Sequence, residues 1–244
     1  MTGWLAIAGL GPGAAALVTP EVTAALDDAT AVLGYGPYVA RVAPRPGLTL
    51  YPTDNRQELD RARHALDLAA SGQRVVIVSS GDPGVFAMAA AVFEALETRP
   101  DLHGLDIRVL PGITAMLAAA AAAGAPLGHD FCAVNLSDNL KPWAVIEERL
   151  RLAVRADFAL ALYNPRSRAR PDGFARVLDL FRGCCGDDRL MILARAVSTP
   201  DQAILTLPLS QVRPEMADMR TLVILANSQT RRVGRWIYAP RSMP

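Results

Sequence analysis

The stretch VVIVSSGDPGVF, residues 75–86, combines three features that decide the fold. Residues 75–78 form a continuous β-branched apolar run, which is typical of a strand buried on both faces of a parallel sheet. Gly81 and Pro83 then mark a turn, and a long alanine-rich apolar segment follows as a helix. A strand, a turn and a helix in this order predict an α/β protein, and such proteins bind ligands at the carboxyl ends of their strands.

The turn carries Asp82 and no lysine, which argues against a phosphate ligand. Phosphate groups bind backbone N–H groups and positive charge. Asp82 has two interpretations from the sequence. Asp is a good helix N-cap and Pro83 suits the first helical position, so the carboxylate could serve only to cap the helix. Alternatively, the carboxylate faces a ligand that carries hydroxyl groups or positive charge.

The rest of the chain alternates strand-like and helix-like runs, which supports α/β architecture with mostly parallel strands in the first half. Thr19 and Pro20 predict the start of the first helix, because they suit the N-cap and the first helical position. The other strand-like runs lie at 4–9, 29–35, 48–52, 106–110, 131–136, 157–164, 189–197 and 217–227. Further helices are predicted at 55–70, 142–155 and 171–182.

Composition narrows the class of protein. The chain has 244 residues, 51% of them hydrophobic and 20% charged, so it can bury one large core or two modest ones. A net charge of +1 gives no reason to expect nucleic acid as a partner. The apolar runs are too short to cross a membrane, and the N-terminus resembles no signal peptide, so we expect a cytoplasmic protein. The three cysteines and three histidines lack metal-ligand spacing, so no metal site is expected.

The first glycine loop raises an alternative function. Residues 9–14, GLGPGA, match the dinucleotide fingerprint and would suit an NAD-dependent oxidoreductase. However, the helix start signals come only at Thr19, and the second strand ends in Gly34-Tyr35-Gly36 instead of an acid that binds ribose. Pro12 also removes a backbone donor where phosphate oxygens need one. A tight glycine turn, or a loop that lets another kind of ligand approach the backbone, fits these residues better.

Three glycine motifs, at 9–13, 80–83 and 111–115, resemble in order and spacing those of the tetrapyrrole methylase family. That family contains the S-adenosylmethionine-dependent methyltransferases of sirohaem and cobalamin synthesis. The stretches SDNLKPW (137–143) and YNPRS (163–167) are similar to the members that methylate C(17) of precorrin-3B and contract its ring to give precorrin-4. The likeness covers nearly the whole chain. It answers the question posed by Asp82, because S-adenosylmethionine carries a sulfonium, an amino group and hydroxyl groups but no phosphate.

The resemblance implies two α/β domains, residues 1–112 and 113–244, with a mostly parallel sheet in the first and a mixed sheet in the second. It implies an active-site cleft between them and a homodimer. The first domain would carry the donor loops and the acceptor side, and the second would complete the S-adenosylmethionine site. The positions that would contact S-adenosylmethionine, or the product S-adenosylhomocysteine, are Pro12, Ser80, Gly81, Asp82, Val85, Phe86, Thr114, Ala115, Asn164, Ala196 and Thr221. The chain departs from the family at Asn164-Pro165, where other members often have Met-Gly, and near Ala196-Val197, where they tend to have Gly or Asn.

Ring contraction needs proton transfer, so an acid–base group should lie on the acceptor side. The candidates are His129, Ser137 and Asp138. The alternative for His129 is a hydrogen-bonded loop histidine, and for Ser137 and Asp138 it is an N-cap of the helix near residue 142.

The acceptor is a tetrapyrrole whose acetate and propionate groups suit the planar fork of arginine. Arg166, Arg168 and Arg170 are candidates to bind these carboxylates, with surface arginines as the alternative. Tyr35 and Tyr38 could offer a flat surface to the macrocycle, with packing in the core as the alternative.

Other functions stay open at this level. Within the family, the chain could methylate a different ring carbon or a cobalt-containing precorrin, or resemble diphthine synthase. Outside that chemistry, it could carry a tetrapyrrole without turnover.

Overall fold

The computed structural model describes residues 3–54 and 57–242. It divides into two compact units, Met1–Thr114 and Ala115–Pro244. The division expected from the resemblance, after residue 112, lies two residues earlier.

The first unit is built on a five-stranded, wholly parallel sheet in the order β3-β2-β4-β1-β5. Its strands are β1 (Trp4–Gly9), β2 (Ala31–Tyr35), β3 (Thr49–Thr53), β4 (Arg74–Ser79) and β5 (Asp106–Leu110). The central strands β1 and β4 are buried on both faces, and a separate apolar cluster covers each face. The parallel sheet predicted from the β-branched run at 75–78 is therefore confirmed.

The helices of the first unit are α1 (Pro20–Asp28), α2 (Gly36–Val39), α3 (Glu58–Ala70) and α4 (Met88–Glu97). Thr19 caps α1 as predicted, because its hydroxyl accepts a hydrogen bond from the backbone N–H of Val22 at 3.3 Å. The predicted start of α3 at residue 55 lies outside the described residues.

The prediction that the fourth helix begins at Asp82-Pro83 is wrong. Helix α4 begins at Met88, and its N-cap position is Ala87. The intervening backbone cannot be helical, because Gly81 and Phe86 have φ of 67° and 54°. The interpretation of Asp82 as a helix cap is therefore also wrong.

The second unit contains a five-stranded mixed sheet in the order β10-β9-β11-β8-β7. Only the β7–β8 pair is parallel; the other three pairs are antiparallel. The five strands are β7 (Phe131–Asn135), β8 (Ala159–Tyr163), β9 (Leu190–Arg195), β10 (Ala203–Pro208) and β11 (Thr221–Leu225), and a short strand outside this sheet, β6 (Gly124–Ala125), precedes them. The helices are α5 (Ala115–Ala123), α6 (Trp143–Arg155) and α7 (Gly173–Cys184). The mixed sheet agrees with the expectation.

A small third sheet joins the C-terminal segment to the start of the second unit. Strands β12 (Arg231–Val233) and β13 (Trp236–Tyr238) form a hairpin, and β13 pairs in parallel with β6. No helix within the described part of the chain is long and apolar enough to span a bilayer.

Candidate functional site

Three glycine turns meet at the carboxyl ends of β1, β4 and β5 in the first unit. Gly11 and Gly81 form an isolated antiparallel bridge, with N···O distances of 3.1 and 2.9 Å. A Cβ atom on Gly9 would lie 2.6 Å from the carbonyl oxygen of Gly81, and one on Gly112 would clash with the same oxygen. Only glycine permits this approach, so the three turns touch one another through main-chain atoms.

Asp82 holds two of these turns together. Its Oδ1 accepts a hydrogen bond from the backbone N–H of Gly84 at 2.8 Å, and its Oδ2 accepts one from Gly112 at 3.0 Å. A carboxylate has about four acceptor positions, so these two bonds leave lone pairs on a half-buried side chain. Asp82 can therefore order the turns and still accept a hydrogen bond from a ligand.

The first turn is not arranged to bind phosphate. The Arg41 guanidinium donates to the carbonyl oxygens of Leu10, Gly11 and Gly13, at 2.5, 3.3 and 3.1 Å respectively. The cation beside this turn is thus directed at backbone oxygens. Because α1 begins only at Pro20, its N-terminus does not open directly on the turn, as a dinucleotide site requires. This geometry disfavours the dinucleotide alternative.

Three of the predicted donor positions have unusual backbone conformations. Among residues 3–54 and 57–242, the non-glycine residues with positive φ are Phe86, Asp157, Asn164, Ala196 and Ser198. Left-handed backbone is costly for most side chains and clusters at functional sites. Phe86, Asn164 and Ala196 were all singled out by the resemblance, so the backbone strain and the family motifs point to the same positions.

The remaining predicted positions of the first unit lie on the same turns. Pro12, Ser80 and Val85 are half-buried, whereas Phe86 is 47% exposed. Thr114, at the end of the third turn, is buried. Ala115 follows it directly as the first residue of α5.

In the second unit, Asn164 connects the carboxyl ends of β7 and β8. Its Nδ2 donates to Asn135 Oδ1 at 3.0 Å, and the same oxygen accepts the backbone N–H of Ser137 at 2.9 Å. The preceding residue, Tyr163, was missed by the sequence analysis. Its hydroxyl oxygen accepts the backbone N–H of Met116 at 3.1 Å, and so satisfies a donor in the first turn of α5.

Ala196 and Thr221 lie side by side at the end of the paired strands β9 and β11. The Thr221 hydroxyl donates to Asp218 Oδ1 at 2.8 Å, and Arg195 Nε donates to Asp218 Oδ2 at 2.8 Å. Burial alone raises the pKa of Asp218, but hydrogen bonds from Thr221, Arg195 and the backbone of Arg220 hold that pKa below its ordinary value. The Thr221 side chain is thus already engaged within the protein.

The acid–base candidates lie at opposite ends of β7. His129 precedes the strand, and its Nδ1 accepts the backbone N–H of Asp130 at 2.8 Å, as the loop-histidine alternative predicted. Ser137 and Asp138 follow the strand and lie beside the Asn135–Asn164 bond. Their interpretation as helix caps is wrong, because α6 begins at Trp143 with Pro142 in the N-cap position.

The candidates for the acceptor side lie on both units. Tyr35 follows β2 and packs edge-on against Tyr38, with ring centroids 5.3 Å apart. In the loop after β8, Arg166 Nε donates to the carbonyl oxygen of Pro171 at 3.1 Å, and Arg168 is exposed.

The family described as Tetrapyrrole (Corrin/Porphyrin) Methylases matches residues 5–213. The chain belongs to this family. It is 49% identical to a precorrin-3B C(17)-methyltransferase from a Sinorhizobium species, over 99% of this chain and 97% of that protein. The crystal structure of the methyltransferase CobJ covers 98% of this chain and 100% of its own, with 67% identity and a TM-score of 0.96. The fold is shared more distantly with a uroporphyrin-III C-methyltransferase from Thermus thermophilus complexed with S-adenosylhomocysteine, at 24% identity, a TM-score of 0.71 and coverage of 92% and 97%.

Membership of the tetrapyrrole methylases makes the chain a methyltransferase, and the first-unit turns fit the donor of that family. The donor carries a sulfonium cation, an amino group and hydroxyl groups, all of which need electron-rich partners. Asp82 is such a partner, because its carboxylate keeps free lone pairs beside its bonds to Gly84 and Gly112, whereas the Arg41 cation is bonded to carbonyl oxygens of the first turn. No side chain can be accommodated at Gly9 or Gly112, where a Cβ atom would collide with the backbone of the neighbouring turns.

Proposed function

We propose that the chain transfers a methyl group from S-adenosylmethionine to C(17) of precorrin-3B and contracts the ring to give precorrin-4, as a step of cobalamin synthesis. The observation that carries this proposal is the 49% identity, over nearly the full length of both chains, to a precorrin-3B C(17)-methyltransferase. The arrangement of Asp82 and the three glycine turns supports it independently, because these groups suit a cationic donor.

In the first unit, Pro12, Ser80, Gly81, Asp82 and Val85 would hold the donor, together with Phe86 and Thr114. Asp82 would accept hydrogen bonds from donor hydroxyl or amino groups through its remaining lone pairs. Bound S-adenosylmethionine supplies a methyl group already activated by the sulfonium. The protein therefore needs mainly to align donor and acceptor, an effect worth up to about 7–11 kcal/mol in favourable cases.

In the second unit, Ala115, Asn164, Ala196 and Thr221 are proposed donor contacts. Thr221 would contribute through its backbone, because its hydroxyl is bonded to Asp218 at 2.8 Å.

On the acceptor side, Arg166 and Arg168 are proposed to bind carboxylates of the tetrapyrrole, and Tyr35 to contact the macrocycle. Ser137 and Asp138 are proposed for proton transfer during ring contraction in preference to His129. They lie at the same strand ends as the proposed donor contact Asn164, whereas His129 lies at the other end of β7.

Two measurements test the proposed function. Isothermal titration calorimetry should detect S-adenosylhomocysteine binding, and no heat at millimolar ligand would contradict the donor assignment. Incubation with labelled S-adenosylmethionine and precorrin-3B should give a methylated, ring-contracted product. Mass spectrometry and NMR of that product identify the ring carbon, and a methyl group elsewhere than C(17) would refute the proposed substrate chemistry.

We further propose that the chain works in the cytoplasm as a homodimer with a small-molecule tetrapyrrole substrate. Exposed apolar side chains such as Phe93, Leu117 and Trp236 are consistent with a covered surface. Sedimentation equilibrium measures this directly, and a monomer at micromolar concentration would contradict it.

A further inference from the structure

Asn135 and Asn164 are joined at one edge of the second sheet. Asn135 is the last residue of β7, and Asn164 directly follows β8, the parallel neighbour of β7. The Nδ2 atom of Asn164 donates to Asn135 Oδ1 at 3.0 Å, and both residues are half-buried. This bond links the turn after β7 to the turn after β8.

The backbone of Ser137 fixes the orientation of this pair. Its N–H group can only donate, and it lies 2.9 Å from Asn135 Oδ1. Asn135 therefore presents its oxygen to both neighbours, and Asn164 must place its NH2 group opposite that oxygen. The Oδ1 atom of Asn164 is consequently directed away from Asn135. It accepts no hydrogen bond from any residue in 3–54 or 57–242.

Asn164 lies beside two other proposed donor contacts. Strands β8 and β11 are antiparallel, and their register brings Asn164 and Thr221 to the same edge of the sheet. The register of β9 and β11 pairs Arg195 with Thr221, which brings the next residue, Ala196, to that edge as well. The sheet therefore brings three of the proposed donor contacts of the second unit together.

Among the four proposed contacts of this unit, only Asn164 has a side-chain acceptor atom that makes no hydrogen bond within the described residues. Ala115 and Ala196 have no polar side-chain atoms. The Thr221 hydroxyl donates to Asp218 Oδ1 at 2.8 Å and accepts the backbone N–H of Asp218 at 3.1 Å. A ligand at this edge therefore meets the Asn164 oxygen as the unbonded side-chain acceptor, which a hydrogen-bond donor would match.

We propose that Asn135 is a positioning residue of the donor site, which holds the Oδ1 atom of Asn164 toward a hydrogen-bond donor of S-adenosylmethionine. This inference rests on the proposed function. S-adenosylmethionine offers such hydrogens on its amino group, its ribose hydroxyls and its adenine amine. Without Asn135, the amide of Asn164 can rotate about its last side-chain bond and present either its oxygen or its NH2 group. An acceptor that is already ordered lowers the cost of binding.

The test compares Asn135→Leu, which removes both polar atoms at similar size, with Asn135→Asp, which keeps an oxygen in the Oδ1 position. The matched control is Asn139→Leu, because Asn139 is exposed in the same loop. Calorimetry measures the affinity for S-adenosylhomocysteine, and thermal unfolding checks that each variant is folded.

A second variant covers the case in which Asn135→Leu folds poorly because it leaves the Ser137 N–H unpaired. Asn164→Gly removes the amide itself, and glycine suits the backbone φ of 54° at this position. The double variant Asn135→Leu/Asn164→Gly then shows whether Asn135 acts through Asn164.

Asn135→Leu and Asn164→Gly should each weaken S-adenosylhomocysteine binding by about five- to tenfold, the expected effect of one lost hydrogen bond. The double variant should be no weaker than Asn164→Gly alone. Asn135→Asp should bind at least as tightly as the wild type, because its carboxylate accepts the same two bonds. Asn139→Leu should bind as the wild type does.

A second ligand identifies the group that Asn164 contacts. Methylthioadenosine keeps the adenine and the ribose of the donor but lacks the amino acid. A loss confined to S-adenosylhomocysteine assigns the contact to the amino group, whereas an equal loss for both ligands assigns it to a ribose hydroxyl or the adenine amine. Either result supports the positioning role.

The positioning role is overturned if folded Asn135→Leu binds S-adenosylhomocysteine as the wild type does, or if Asn135→Asp loses as much affinity as Asn135→Leu. It is also overturned if the losses of the two single variants multiply in the double variant, if Asn164→Gly binds normally, or if Asn139→Leu shows an equal loss. Failure of the wild type to bind S-adenosylhomocysteine would contradict the proposed function itself, so the two failures are distinguishable.

Discussion

Replacing Asp82 by alanine tests whether its carboxylate holds the second and third glycine turns in contact. The change removes two hydrogen bonds, from the backbone N–H groups of Gly84 and Gly112 at 2.8 and 3.0 Å. Both involve a charged acceptor, but the side chain is half-buried, so each is worth about 1 kcal/mol, which is below the roughly 1.5–3 kcal/mol of bonds to charged groups. The free energy of unfolding should fall by about 2 kcal/mol. For a chain of this size the melting temperature should then fall by about 4–8 °C.

Asp82→Asn separates the two bonds. The amide keeps one oxygen acceptor but places an NH2 group opposite the other backbone donor, so about half of the loss is expected. The matched control is Asp60→Ala, which removes an exposed carboxylate with 76% of its side-chain surface accessible, and should cost less than about 0.5 kcal/mol.

Differential scanning fluorimetry measures the melting temperatures, and calorimetry measures S-adenosylhomocysteine affinity in the same variants. We expect Asp82→Ala to lose about tenfold in affinity, because the loss of one hydrogen bond from the ligand to a charged acceptor costs roughly 1.5 kcal/mol or more. An unchanged melting temperature in Asp82→Ala, or equal destabilisation by Asn and Ala, would refute the bridging role of the carboxylate. If Asp82→Ala lowers the melting temperature but keeps full affinity for S-adenosylhomocysteine, Asp82 stabilises the turns without contacting the ligand.

Three further predictions follow from backbone geometry and charge. Gly112→Ala should abolish S-adenosylhomocysteine binding, because the added Cβ atom would collide with backbone. The control, Gly104→Ala, should bind normally, because no heavy atom lies within 4 Å of its added Cβ atom. Equal binding by the two variants would contradict the close packing of the turns. Ala196→Gly should raise the free energy of unfolding by about 1 kcal/mol in urea titrations because it relieves a φ of 48°, whereas Ala194→Gly within β9 should lower it. The pKa of Asp218 lies below its ordinary value, so the charged carboxylate stabilises the fold fully above about pH 4, and this stabilisation is lost as the pH falls through the lower, folded-state pKa. The difference in melting temperature between the wild type and Asp218→Asn should therefore shrink in acid. A difference that stays constant with pH would exclude this role.

The first sheet could be predicted because its central strands carry a strong local signal. The run at 75–78 is β-branched and continuous, and a strand buried on both faces needs such a sequence. The start of α4 could not be predicted in the same way. Asp82-Pro83 is a good local helix start, but the bond from Gly112, 30 residues away, draws the carboxylate into a different turn. Long-range contacts of this kind outweigh local preference.

The residues of the candidate site also differ in how far the sequence predicts them. The glycine turns were found because their residue types are restricted by close backbone contact, and that restriction is visible in the sequence. Arg41 was missed because an arginine that binds carbonyl oxygens cannot be told from a surface arginine in the sequence. Tyr163 was missed because its hydrogen-bond partner, the backbone N–H of Met116, lies 47 positions away in the sequence. The hairpin of β12 and β13 was missed because each strand has only three residues, too few to show an alternating hydrophobic pattern.

The packing of Gly9, Gly81 and Gly112 has a consequence for how proteins of this design can diversify. Because a Cβ atom at Gly9 or Gly112 would collide with backbone, almost any substitution there disrupts the turns, and we expect the proposed donor-binding turns to vary little as sequences diverge. Differences in chemistry between such enzymes must then accumulate where side chains point at the acceptor. Mutant libraries designed to accept new substrates should therefore keep these three glycines and vary the side chains around them.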